Sequence, residues 1–176
     1  MTDKKTFPRM KRILFLLTAL ISCSFATAQM AKFQALYIFQ FAKNTSWPLE
    51  DAGKTLTVTV VGDNALSSEL KSIVNNKKVG DRPLKVLDAP TAAGLPKSDI
   101  IYLGESKSSQ ISSLVSAQAN NKVLIVSGTK GHCALGAGIA FVANGGKLQF
   151  EIHEGNIAKN GLKVTPKLVT LGHQVF

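Results

Sequence analysis

Three short runs, Leu56–Val61, Ile100–Leu103 and residues 122–127, are apolar almost from end to end and rich in β-branched side chains. No other feature of the chain constrains its fold as strongly. A strand with one wet face alternates polar and apolar residues, whereas one that is apolar throughout is covered on both faces, the usual environment of a parallel sheet. Segments of helical spacing lie between the runs. Residues 66–74 place Leu66, Leu70, Ile73 and Val74 on one side, and residues 111–119 form a second such segment. A further short strand is expected at residues 84–87. Strands alternating with helices predict an α/β fold in three layers, a mostly parallel sheet with helices on both faces.

The pattern changes near the C-terminal end. Residues 138–143 and 147–152 flank Asn144-Gly145-Gly146, and two strand patterns around a short Asn/Gly turn are a strong hairpin signal. A C-terminal antiparallel hairpin is therefore expected to finish the sheet. Thr165-Pro166 supplies an N-cap and a first-turn proline for a last helix, with Leu168, Val169 and Leu171 as its apolar contacts.

Residues 31–44 read as a helix closed by Trp47-Pro48, because the residue before a proline is pushed out of the α region. Phe33, Tyr37 and Phe41 recur four apart, with Ala35, Ile38, Phe39 and Ala42 beside them. Only Gln34 interrupts an apolar surface of about 240°, against the 100° or so of an ordinary surface helix. Such a helix is covered on two sides. Either it is sunk between the sheet and a neighbouring helix, or part of this surface, with Phe33, Tyr37, Phe41 and Trp47 as candidates, meets a partner or a second subunit.

Residues 1–28 have the three-part layout of a secretory signal peptide: Lys4, Lys5, Arg9, Lys11 and Arg12, then the apolar residues 13–21, then small residues 22–28. The apolar part is too short to span a bilayer, which takes roughly 20 residues. Ala26-Thr27-Ala28 is an A-x-A cleavage site that leaves residues 29–176 as a single domain. The competing route is a lipobox at Leu20-Ile21-Ser22-Cys23 that leaves a lipid-anchored Cys23. The A-x-A route is preferred, because only seven residues separate Cys23 from the next apolar pattern, too few for a tether. Either route leads to the periplasm.

Cleavage after Ala28 leaves 16 basic and 10 acidic residues, a net charge of +6. The charges are scattered, with no basic run longer than Lys77-Lys78, and aromatics do not interleave with them as a nucleic-acid stacking surface requires, so no nucleic acid partner is expected. Cys133 is then the one remaining cysteine, which excludes an intramolecular disulfide.

Catalytic and cofactor motifs are missing from the pattern. The glycines of 128–131 lack P-loop spacing, Gly136-Ala137-Gly138 precedes a strand instead of a helix, and no serine sits in G-x-S-x-G. His132 and Cys133 are neighbours on one loop, and adjacent residues seldom form an activated pair or reach one ion. No catalytic residue, metal or cofactor is expected. The loop from Gly128 to Gly138 nevertheless follows a parallel strand at its carboxyl end, where open α/β sheets bind ligands. Lys130, His132 and Cys133 are the candidates for a small-ligand site there.

Taken in order, Ala35-Leu36-Tyr37-Ile38-Phe39-Gln40-Phe41-Ala42-Lys43 with Trp47-Pro48, Val61-Gly62-Asp63, the hairpin with Phe150-Glu151-Ile152, and Gly161-Leu162-Lys163-Val164-Thr165 before Lys167-Leu168 resemble the YfiR family of exported bacterial proteins. The resemblance runs from about Ala35 to Leu171. It implies a dimer-forming α/β protein of the periplasm that binds and represses the sensory domain of a membrane signalling protein. A diguanylate cyclase is the best-known partner, with histidine kinases and receptors as the others, so that cyclic-di-GMP signalling and biofilm formation stay low. Two departures limit it. A lone Cys133 cannot make the disulfide of a redox-responsive member, and His153 stands where the family tends to have Asn.

Overall fold

The computed structural model describes residues 29–144 and 147–176, so the leader lies outside the described residues. Helix α1 spans residues 29–44. Its last carbonyls, which have no partner within the helix, are taken by side chains. Thr45 Oγ1 donates to the Phe41 carbonyl at 2.8 Å, and Trp47 Nε1 to that of Ala42 at 2.8 Å. Strand β1 (Thr45–Ser46) follows directly.

Strand β2 (Leu56–Val61) leads through Gly62 into α2 (Asn64–Val74), where Asp63 caps the helix by accepting from the Leu66 N–H at 2.9 Å. A tight hairpin joins β3 (Lys78–Val79) to β4 (Arg82–Ala89). Next come β5 (Ile100–Leu103), a 3-10 turn and α3 (Ile111–Ala117), then β6 (Leu124–Ser127) and a 3-10 turn at His132–Leu135. The antiparallel pair β7 (Ile139–Asn144) and β8 (Lys147–Ile152) is followed by α4 (Glu154–Lys159), β9 (Lys163–Val164), α5 (Pro166–Leu171) and β10 (Gln174–Val175).

The main sheet runs β10-β8-β7-β6-β5-β2-β4-β3, and its five central strands from β7 to β4 are mutually parallel. The expected three-layer α/β architecture is present. On one face, Ile38 and Phe41 of α1 and Leu66 and Leu70 of α2 pack on Val58, Val60, Ile100, Tyr102, Val126, Phe141 and Phe150. On the other, Ile111 and Leu114 of α3 cover Val61, Ile101, Leu103 and Ile125. Alternate residues of β5 and β6 therefore enter different cores, which is why those strands are apolar throughout.

Several boundaries differ from expectation. The strand foreseen at 84–87 extends over Arg82–Ala89, the one at 122–127 starts at Leu124, and α3 ends at Ala117. The β7–β8 hairpin does not finish the sheet. β10 pairs parallel to β8 through Gln174↔Glu151 and Val175↔Ile152, and forms the edge. β1 and β9 make a separate two-stranded ladder that ties the end of α1 to the start of α5, reinforced by the Thr165 N–H donating to the Asn44 carbonyl at 2.9 Å.

Candidate functional site

Order and direction of the parallel strands define where an α/β sheet of this kind opens. β2 is the first of the parallel strands and lies between β4 and β5; the connections leaving β2 and β5 run in opposite directions, toward β4 and β6, so a crevice is expected beyond the carboxyl ends of β2 and β5. The chain fills that crevice in part and leaves beside it a cavity of about 380 Å³ lined by Gly62, Asn64, Asp88, Ala89, Pro90 and Lys107. Gly62 turns there with φ +71°, and a Cβ on it would collide with the Lys107 side chain. Below lies Tyr102, whose hydroxyl faces Gln34 of α1 and Asp63, and a Cβ on Gly128 would come within 2.6 Å of it. Burial, then the negative charges of Asp63 and Glu105, push the Tyr102 phenol well above its ordinary range, so it stays neutral.

The loop from Gly128 to Gly138 is packed in the same manner. His132 turns inward, its Nδ1 2.8 Å from Ser127 Oγ, which also accepts from the Thr129 N–H at 3.1 Å. The buried Glu151 of β8 accepts from the Gly131 N–H at 2.9 Å, and Asn156 Nδ2 of α4 donates to the carbonyls of Cys133 and Ala137. Hydroxyl, imidazole and carboxylate are thus neighbours, but Ser127 has no exposed surface for a substrate to reach. Cys133 is buried as well, with Sγ 3.9 Å from the Gly138 carbonyl, and burial pushes its thiol up to about 12. It is protonated at neutral pH, and nucleophilic or metal-binding chemistry needs the thiolate. Of the three loop candidates Lys130 alone is on the surface. Among the described residues no group of three His, Cys, Asp or Glu side chains is placed to hold a metal ion.

Burial lowers the His132 pKa from the ordinary 6.5, outweighing the opposing effect of Glu151. The folded state thus binds this proton less readily than the unfolded chain. The stability from the neutral ring is complete above about pH 6.5 and is lost as pH falls from there toward the depressed value. Urea denaturation of wild type should show this decline between pH 7 and 5, and His132→Asn, which keeps a hydrogen-bonding group near Ser127, should flatten that part of the curve. An unchanged pH profile in the variant would refute the assignment.

The aromatic candidates separate sharply. Phe41 is fully buried against Phe141 and Phe150 and has no surface to offer a partner. Tyr37 is half-buried at the rim of the same cluster, and Trp47 is half-buried with the Arg82 guanidinium 5.8 Å from its ring. Phe33 alone of the four is exposed, at 45%, one turn from Leu36 at 40%. The sheet-facing sector of α1 consists of Ala31, Gln34, Ala35, Ile38, Phe41 and Ala42, so the helix is covered on one side and keeps Phe33 and Leu36 outside. Leu36 was not among the residues singled out from the sequence. Only the identity of the buried sector reveals it.

Among the described residues no helix is long and apolar enough to cross a membrane. No curated protein matches the chain. A family model described as YfiR/HmsC-like matches residues 31–173 of 176, and the chain belongs to this family of periplasmic regulators of cyclic-di-GMP signalling, proteins that are regulators rather than enzymes.

Proposed function

We propose that this protein is exported, cleaved after Ala28, and acts in the periplasm as a homodimer that binds the sensory domain of a membrane signalling protein and holds it inactive. Its mature form in this reading is one domain, residues 29–176. Family membership over nearly the whole chain carries the reading. Two placements support it. The groups with chemical potential, Ser127, His132, Cys133 and Glu151, are turned inward, and α1 keeps Phe33 and Leu36 on its outer surface. Within the partner classes a diguanylate cyclase comes first, ahead of a histidine kinase or a receptor. The ligand-binding alternative on the 128–138 loop has less behind it, since only Lys130 of its three residues faces solvent.

Mild crosslinking in cells followed by purification from solubilised membranes tests this directly. Wild type should bring down one membrane signalling protein, and Phe33→Glu with Leu36→Glu should lower the recovery severalfold while leaving the fold intact. Recovery of no membrane protein by wild type would overturn the proposal.

A further inference from the structure

The sheet ends opposite β10 in an edge that is only partly covered. β4 is eight residues long, yet its outer neighbour β3 pairs only through Lys78↔Pro83 and Val79↔Arg82. One more bond, from the Leu84 N–H to the Lys77 carbonyl at 3.4 Å, extends this cover by a single residue. The N–H and C=O of a strand residue point to the same side and alternate along the strand. Leu84 points outward to Lys77, and Ala89 points inward to the Gly62 N–H. The backbone groups of Val86 and Asp88 are therefore directed away from β2, where no strand among the described residues adjoins them.

Beside this edge, between β4 and the end of α2, lies a cavity of about 500 Å³. Val74, Leu84 and Val86 contribute apolar floor, and Lys71, Lys77 and Lys78 stand around it, all three exposed. Lys85 is exposed on the other face of β4. The acidic groups nearby are Asp88, which pairs with Lys71, and Asp81 in the β3–β4 turn. Lysines on a bare edge guard it against pairing with a second copy of the chain. The same lysines attract an acidic strand, and the apolar floor beside them has no part in such guarding.

We propose that the outer edge of β4 is a docking site for an extended acidic segment of a partner protein, which adds to the sheet as a further strand. Its backbone would bond Val86 and Asp88, its acidic side chains would lie on the face of Lys78, which is paired with Pro83, and Lys85, with Lys77 adding to the positive field, and an alternate apolar side chain would enter the cavity over Val74 and Leu84. The inference rests on the regulator reading and names the partner surface that the regulator contacts.

Its test uses a synthetic blocked peptide of alternating Glu and Val, with a Lys and Val peptide as control, added to residues 29–176. Hydrogen exchange at the Val86 and Asp88 amides, read by NMR, should slow by about tenfold or more with the acidic peptide. The control peptide should leave those amides unprotected, and added salt should weaken the protection. Lys77→Glu with Lys78→Glu, both on exposed residues, should abolish it without changing the rest of the spectrum. Protection absent at millimolar acidic peptide, equal protection by both peptides, or full retention in the double variant each refutes the site. None of these outcomes depends on membrane crosslinking, so the site and the regulator reading fail separately.

Discussion

Replacing Phe41 by alanine is expected to cost about 3 to 5 kcal/mol of folding stability, the range for emptying an aromatic site in a filled core. The ring has no exposed surface, and its centroid lies 5.0 Å from that of Phe150 and 5.7 Å from that of Phe141. Tyr37 closes the cluster at 6.0 Å. Urea denaturation should report the loss as a lower midpoint with an unchanged m-value. Phe33→Ala on the same helix should stay within about 0.5 kcal/mol of wild type, as surface changes do. The contrast is the useful part. If the two variants were equally destabilised, or if Phe41→Ala folded like wild type, α1 would meet the sheet through a different sector.

A comparable loss, about 3 to 5 kcal/mol, is expected for Asp99→Ala, because it leaves a buried guanidinium without its counter-charge. Arg82 opens β4 and Asp99 precedes β5; their side chains are 7% and 17% exposed and meet at 2.7 Å. The second Asp99 oxygen accepts from the Thr57 N–H at 2.8 Å, and Arg82 donates to the carbonyls of Lys54 and Thr55. One ion pair thus ties together the amino ends of β4, β2 and β5. Arg82→Met with Asp99→Asn should recover most of the loss, since no charge is left stranded and an amide oxygen can still accept from Thr57. If this double variant were no more stable than Asp99→Ala, the cost would lie in packing and not in the unpaired charge.

What could be read from the sequence follows from how many constraints each element carries. β2, β5 and β6 were legible because burial on both faces leaves no alternation, and the β7–β8 turn and the start of α5 because Asn144-Gly145 and Thr165-Pro166 are local backbone signals. β1, β3, β9 and β10 are two residues each, too short for any periodicity, and are held by tertiary pairing. α4 has six residues with Gly155 near its start, and its cap is His153, whose Nδ1 accepts from the Asn156 N–H at 3.2 Å, a residue outside the usual capping set. On α1 the helix itself was plain but its orientation was not. Counting apolar residues marked Gln34 as the interruption and Phe33 as part of the face, whereas the sheet takes Gln34 inward to Tyr102 and leaves Phe33 outside. A polar residue that completes a buried cluster looks, in sequence, like a break in the pattern. Ser127 and His132 were missed as a pair for a similar reason, since only the turn at Gly131 brings residues five apart into contact.

The distance along the chain between Phe41 and its ring partners has a consequence during synthesis. Phe141 and Phe150 follow it by about 100 residues, and at roughly 5 to 20 residues per second a ribosome takes about 5 to 20 s to deliver them. Throughout that interval Phe41 lacks the two rings that complete its cluster. A chaperone that keeps the chain unfolded for export would find the most apolar early stretch of residues 29–176 between Ala31 and Ala42.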